Sequence, residues 1–69
     1  MARKRLARLT LKHAWSIVAQ GTRARHGDRN PYRQGTTQWY CWKTGKDNPS
    51  YSAIELTKKL EALGFPIGD

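Results

Sequence analysis

Basic and aromatic side chains alternate through the middle of this sequence, and that combination is suited to binding a nucleic acid. Lysine and arginine neutralise phosphates, and the flat faces of aromatic rings stack on unpaired bases. RNA loops and single strands, whose bases are splayed outward, fit such a surface better than a B-DNA groove does. The basic members of the set are Arg23, Arg25, Arg29, Arg33, Lys43 and Lys46, and the aromatic members are Tyr32, Trp39, Tyr40 and Trp42.

The residue types give little support to metal binding or to catalysis. His13, His26 and Cys41 are the only histidine and cysteine side chains, and they lack the spacing of zinc ligands. Nothing in the spacing pairs Cys41 with a histidine base, and no Gly-rich phosphate loop is present. No carboxylate pair lies in an apolar setting suited to acid–base catalysis. We therefore predict that the protein is not an enzyme and uses no metal, cofactor or small-molecule substrate.

The charge of the chain is high and unevenly distributed. Residues 1–46 hold eleven basic residues and one acidic residue, a net charge of +10, whereas residues 47–69 carry −2, which together give the +8 of the whole chain. Such an excess favours a polyanionic partner, which could be a nucleic acid, an anionic membrane surface or an acidic protein. The N-terminal segment adds further candidate nucleic-acid-binding residues, which are Arg3, Lys4, Arg5 and Arg8.

The length and the cysteine usage indicate a small intracellular domain. A chain of 69 residues forms one domain with a thin core. One cysteine cannot form an internal disulfide, which favours a reducing compartment and hence the cytoplasm. Arg8, Lys12 and His13 interrupt the stretch after the basic N-terminus, so it does not form a signal peptide. No window is apolar for long enough to span a membrane.

The pattern predicts a first helix that begins at Thr10, its cap, and runs to about residue 25. Trp15 is expected in the core, and the small residues Ala14, Gly21 and Ala24 are expected to let another element approach closely. The face predicted to be buried consists of Leu11, Ala14, Trp15, Val18, Gly21 and Thr22.

Residues 27–35 are predicted to form a connector, because Pro31 does not fit inside a helix. Gly27 and Gly35 bracket it with residues that can adopt a positive φ. Thr36 or Thr37 then caps a second helix that ends at about Gly45. Tyr32 and Trp42 are expected to be mainly buried, whereas Trp39 and Tyr40 are expected to be more exposed.

The third helix follows the turn at residues 47–50 and begins at the cap Ser52. Gly64 ends it, and Phe65 and Ile67 are expected to fold back. The predicted fold is a small basic all-α domain of two to three short helices. Its segments are a basic arm at residues 1–9, a basic helix–connector–helix unit at residues 10–46, and a turn with an amphipathic helix at residues 47–69. The face of the third helix predicted to be buried consists of Ala53, Leu56, Leu60 and Leu63.

The connector and the residues around it resemble the ribosome modulation factor family, small basic bacterial proteins. The resemblance covers about residues 19–46, and Asn-Pro-Tyr-x-x-Gly-Thr is its most specific part. Lys46 stands where the family usually has a second Trp, and the helix in residues 47–69 has no counterpart in short members. The additional helix suggests an added partner surface or a diverged role, as in copies carried by phages or mobile elements. The matching positions are Gly21, Ala24, Asn30, Pro31, Tyr32, Gly35, Thr36, Trp42 and Gly45.

The resemblance implies binding to rRNA of the small ribosomal subunit, near the messenger exit side. Such proteins block initiation and favour inactive ribosome dimers in stationary phase. Two other hypotheses remain open on the sequence alone. One is a small inhibitor or recruiter that docks on an acidic, nucleic-acid-like surface of a partner protein, and the other is a DNA-binding accessory protein.

Overall fold

The computed structural model describes residues 8–68, and this part of the chain folds as three short helices around the predicted connector. Helix α1 spans Leu11–Thr22, α2 spans Thr37–Asp47 and α3 spans Ala53–Ala62. The expectation of an all-α domain is confirmed. Within residues 8–68, no helix combines the length and the apolar character needed to cross a membrane.

The starts of the three helices are set by local chemistry, as the sequence predicts. Each cap residue has extended backbone, and its hydroxyl accepts a hydrogen bond from the amide three residues later. Of the two candidates for α2, the structure selects Thr36. The donor–acceptor distances are 3.1 Å for Thr10 and His13, 3.2 Å for Thr36 and Trp39, and 3.2 Å for Ser52 and Glu55.

Helix α1 ends at Thr22, about three residues before the predicted end. The Asp28 carboxylate accepts a hydrogen bond from the Arg25 amide at 2.8 Å, and the Asp28 amide donates to the Arg25 carbonyl at 3.0 Å. These bonds close a separate turn, which takes residues 25–28 out of the helix. Gly27, with φ +93°, completes that turn.

Helices α1 and α2 cross in direct backbone contact at two glycines. A Cβ atom on Gly21 would overlap the Trp42 carbonyl oxygen and lie 3.0 Å from the Lys46 nitrogen. A Cβ atom on Gly45 would overlap the Val18 carbonyl oxygen. The close approach predicted for Gly21 is therefore confirmed, and Gly45 supplies the matching position on α2.

The buried face of α1 differs from the predicted one. Trp15 and Leu11, both expected in the core, are 46% and 40% exposed, whereas Ile17 is buried. The crossing at Gly21 turns the Ile17 side of α1 toward α2, because only that side permits backbone contact. The side that carries Leu11 and Trp15 then lies over the edge of α3. The buried core consists of Leu9, Ala14, Ile17, Val18, Cys41, Trp42, Leu56, Leu60 and Ile67.

The C-terminal residues close the core in place of Leu63. Leu63 was expected in the buried stripe of α3, but it is the C-cap residue and is 68% exposed. At Gly64, with φ +102°, the chain reverses. Phe65 and Ile67 then pack on the core, as predicted. Ile67 forms an isolated parallel bridge with Leu9, the last residue of the predicted arm, and both residues are buried.

Candidate nucleic-acid interface

Asn30 holds the connector against α2 through both polar atoms of its side-chain amide. Its Oδ1 accepts a hydrogen bond from the Tyr32 amide at 3.0 Å, which forms a local turn around Pro31. Its Nδ2 donates to the Trp39 carbonyl in the first turn of α2 at 2.9 Å. This turn lies within the connector predicted at residues 27–35. The bond to Trp39 is a further tie that sequence spacing did not reveal.

Tyr32 fixes the other side of the connector to α1. Its ring is half-buried against the core, and its hydroxyl donates to Gln20 Oε1 at 3.0 Å. Gly35, with φ +88°, then lets the chain enter the α2 cap. The Thr36 hydroxyl also donates to the Arg33 carbonyl at 2.6 Å. The connector backbone is therefore tied to both α1 and α2 by hydrogen bonds.

Truncating Tyr32 tests this tie. Because the ring is only half-buried, Tyr32→Ala should lower the free energy of unfolding by about 2 kcal/mol, less than a fully buried aromatic would. Tyr32→Phe keeps the ring and loses one exposed hydrogen bond, so it should cost less than about 1 kcal/mol. Urea unfolding followed by circular dichroism measures both. Equal stability of the alanine variant and the wild type would show that the ring does not pack.

Four arginines lie between the end of α1 and the start of α2, and they are called the connector arginines below. Their guanidinium groups are exposed and make no hydrogen bond or ion pair with any group in residues 8–68. Their charge is therefore available to an external anion. Arg23 also lines a shallow groove on α1 beside Lys12 and Trp15. The four are Arg23, Arg25, Arg29 and Arg33.

Lys43 and Lys46, also predicted to bind nucleic acid, have partners inside the protein. Lys43 Nζ lies 3.0 Å from the Asp47 carboxylate. Lys46 Nζ donates to the Asp28 carbonyl and lies 5.4 Å from the centre of the Trp42 ring. Lys46, the departure from the family pattern, thus ties the connector to α2. The arginines are left as the main uncompensated charge of this region.

The aromatic residues are arranged differently from the prediction. Trp42 is buried as expected, but Trp39 and Tyr40 are half-buried rather than exposed. Tyr40 packs between Trp39 and Phe65, with 5.0 Å between ring centres in each pair, so its ring is used inside the fold. Trp39 keeps one side toward a groove of about 220 Å³ that Asp28, Lys43, Lys46 and Asp47 also line. Trp39 is therefore the better of the two as a stacking residue.

The N-terminal basic residues lie apart from this arrangement or outside the structure. Arg3, Lys4 and Arg5 precede the described residues. Arg8 is exposed, and its Nε donates to the Gly68 carbonyl at 3.1 Å, beside the bridge of the two chain ends. The structure thus places Trp39, Lys43 and Lys46 along one groove. Arg23 borders a separate groove on α1, and Arg8 lies at the terminal bridge.

Cys41 is a packed core residue. It is fully buried in α2, and burial raises the pKa of its thiol from 9.0 to about 11. Within residues 8–68, no three His, Cys, Asp or Glu side chains cluster as metal ligands do. The thiolate required of a nucleophile is disfavoured here.

We expect Cys41 to react with iodoacetamide at least about a hundredfold more slowly in the folded protein than in denaturant at the same pH. The free energy of unfolding should also fall as the pH rises from about 9 to about 11, because the unfolded thiol ionises first. Mass spectrometry of timed samples measures the first effect. Equal labelling rates would show that Cys41 is accessible.

Comparisons with protein-family models, curated proteins and solved structures gave no match to this chain. The resemblance to the ribosome modulation factor family therefore rests on the residues quoted above. What points to a function is charge and geometry: a connector tied to both helices, exposed arginines between α1 and α2, and the half-buried Trp39 in a groove with Lys43 and Lys46.

Proposed function

We propose that this protein is a non-enzymatic RNA-binding regulator of translation that acts on the ribosome in the cytoplasm, with small-subunit rRNA as its target. The proposed effect is to repress initiation and to favour inactive ribosomes, as the resemblance implies. One observation carries the proposal above the others. The segment that joins α1 to α2 presents Arg23, Arg25, Arg29 and Arg33, and none of these guanidinium groups forms an ion pair with a carboxylate in residues 8–68.

The charge balance within this region supports the arginines as the phosphate contacts. In the groove beside Trp39, the carboxylates of Asp28 and Asp47 offset the ammonium groups of Lys43 and Lys46. Arginine also offers a planar set of donors that matches phosphate oxygens and can stack on a base. The hydrogen bonds of Asn30 and Tyr32 tie the connector backbone to both helices before binding, so less backbone has to be ordered when the arginines meet an anion.

A tagged pull-down from bacterial lysate, with and without RNase, tests the proposal. We expect ribosomal RNA and small-subunit proteins to be retained without RNase and lost after it. Retention of one stoichiometric protein after RNase treatment, with little RNA before it, would contradict the proposal and favour a protein target. A DNase-sensitive and RNase-insensitive pull-down would favour DNA.

The affinity for structured RNA should depend steeply on salt. Each phosphate contact contributes about 0.7 to 0.9 to the slope of log affinity against log salt, so four arginine contacts predict a slope of about −3. Fluorescence anisotropy with a labelled rRNA hairpin, between low and physiological salt, measures it. A slope near zero would show that phosphate contacts do not drive binding.

A further inference from the structure

A second surface lies between α1 and α3, and it meets the region around Arg23 only at Lys12 and Trp15. It is a groove of about 190 Å³ lined by Leu11, Lys12, Trp15, Ile54, Thr57 and Lys58. It shares no residue with the groove beside Trp39. It also contains none of the four connector arginines.

The groove gathers apolar side chains that a small domain would ordinarily bury. Leu11, Trp15 and Ile54 are 40%, 46% and 50% exposed. Single exposed apolar residues are common, but three that line one concavity form a contiguous patch, and such patches mark interaction sites. The wall atoms are already positioned by two packed helices, so an apolar side chain can enter without rearranging the fold.

Two lysines border this apolar groove. Lys12 on α1 and Lys58 on α3 are exposed and make no hydrogen bond or ion pair in residues 8–68. An occupant that brings carboxylates to both edges would neutralise them, whereas a basic or neutral occupant would leave them unpaired.

We propose that this groove binds an acidic amphipathic segment of a partner protein, whose apolar side chains enter between Leu11, Trp15 and Ile54 while its carboxylates meet Lys12 and Lys58. An amphipathic helix laid in an apolar groove is a common mode of peptide recognition. The proposal does not depend on RNA binding, because the groove contains neither Trp39 nor any of the four arginines.

The bordering lysines disfavour a second copy and the N-terminal segment as occupants, and the aliphatic walls disfavour RNA. A second copy in a two-fold arrangement would bring Lys12 and Lys58 of both chains together, in a protein whose net charge is already +8. RNA could stack a base on Trp15, but the aliphatic walls formed by Leu11 and Ile54 offer it neither a stacking face nor a charge. The segment before residue 8 carries Arg3, Lys4 and Arg5 and no acidic residue, so it lacks the complementary charge.

The probe for the test is a labelled helical peptide with leucines at i, i+3, i+4 and i+7 and glutamates elsewhere, compared with a peptide of equal charge in which alanine replaces each leucine. Fluorescence anisotropy should show that the leucine peptide binds saturably. The alanine peptide should bind at least about tenfold more weakly. Ile54→Ser should weaken the leucine peptide by at least about tenfold, and Lys12→Glu with Lys58→Glu should do so independently.

Leu63→Ser is the matched control, because Leu63 is an exposed leucine at the end of α3 outside the groove. It should leave peptide binding unchanged, and Ile54→Ser should keep the helical circular dichroism and the RNA affinity of the wild type. The proposal is overturned if the leucine peptide does not bind saturably or if it binds Ile54→Ser as it binds the wild type. It is also overturned if Ile54→Ser lowers RNA affinity instead, or if the wild type dimerises through this face.

Discussion

Gly21→Ala is expected to lower the free energy of unfolding by about 3 kcal/mol or more, enough to abolish cooperative folding in a domain of this size. An alanine Cβ would overlap the Trp42 carbonyl oxygen, which belongs to the backbone of α2 and has no rotamer through which to move away. The helices would have to separate, which exposes the core between them. Alanine's helix propensity offsets only about 1 kcal/mol of this cost.

Gly45→Ala should have a similar effect, because its Cβ would overlap the Val18 carbonyl oxygen from the opposite side of the crossing. Ser16→Ala, on the exposed face of α1, is the control and should change stability by less than about 0.5 kcal/mol. Thermal unfolding followed by circular dichroism compares the three variants. A wild-type melting temperature for both glycine variants would mean that α1 and α2 do not cross in backbone contact.

Features that depend on a few neighbouring residues could be predicted from the sequence. The caps Thr10 and Ser52 act through an amide only three residues away, and the turn at Asn30 acts through the amide two residues away. The positive φ of Gly27 and Gly35 follows from the same local chemistry. Such features need no knowledge of where the helices lie relative to each other.

Features set by the helix crossing could not be predicted in the same way. The hydrophobic pattern of α1 is compatible with several orientations, and the contact at Gly21 and Gly45 selects the one that buries Ile17 and exposes Trp15. The early end of α1 depends on a competing turn closed by Asp28. The small size of Gly21 indicated from the sequence that another element could approach α1 there. The sequence did not indicate that Gly45 on α2 would be the contacting residue.

The residue types of the candidate interface could be predicted from the sequence, whereas the internal partners of some of its side chains could not. Exposure of the connector arginines agrees with their position in a polar loop. The internal partners of Lys43 and Lys46 depend on the fold: Lys46 reaches the Asp28 carbonyl eighteen residues away in the chain. The i,i+4 spacing of Lys43 and Asp47 could have indicated the first pairing from the sequence.

Reversing the connector charges is the second change with a large expected effect. Arg25→Glu with Arg29→Glu and Arg33→Glu should weaken RNA binding by about a hundredfold or more, because three attractive phosphate contacts become repulsive. Lys43 and Lys46 are left unchanged, since Lys46 holds the connector to α2. The three side chains are exposed and make no internal bonds within residues 8–68, so helical content should be preserved.

The control variant must change the net charge equally at another place. Lys12→Glu with Lys58→Glu and Lys59→Glu also removes three positive charges and adds three negative ones, so both variants have a net charge of +2. These lysines lie on exposed positions of α1 and α3. If RNA contacts the connector arginines directly, the control should lose less than about tenfold in RNA affinity, because its substitutions act on RNA only through long-range electrostatics.

Co-sedimentation with purified small ribosomal subunits tests the central claim most directly, with the wild type and both charge-reversed variants run side by side at physiological salt. We predict that the wild type and the control pellet with the subunits, that the connector variant stays in the supernatant, and that high salt releases the bound protein. Circular dichroism of each variant provides the folding control. If the wild type does not pellet, or if the two equally charged variants pellet to the same extent, the connector arginines are not the ribosome-binding surface of this protein.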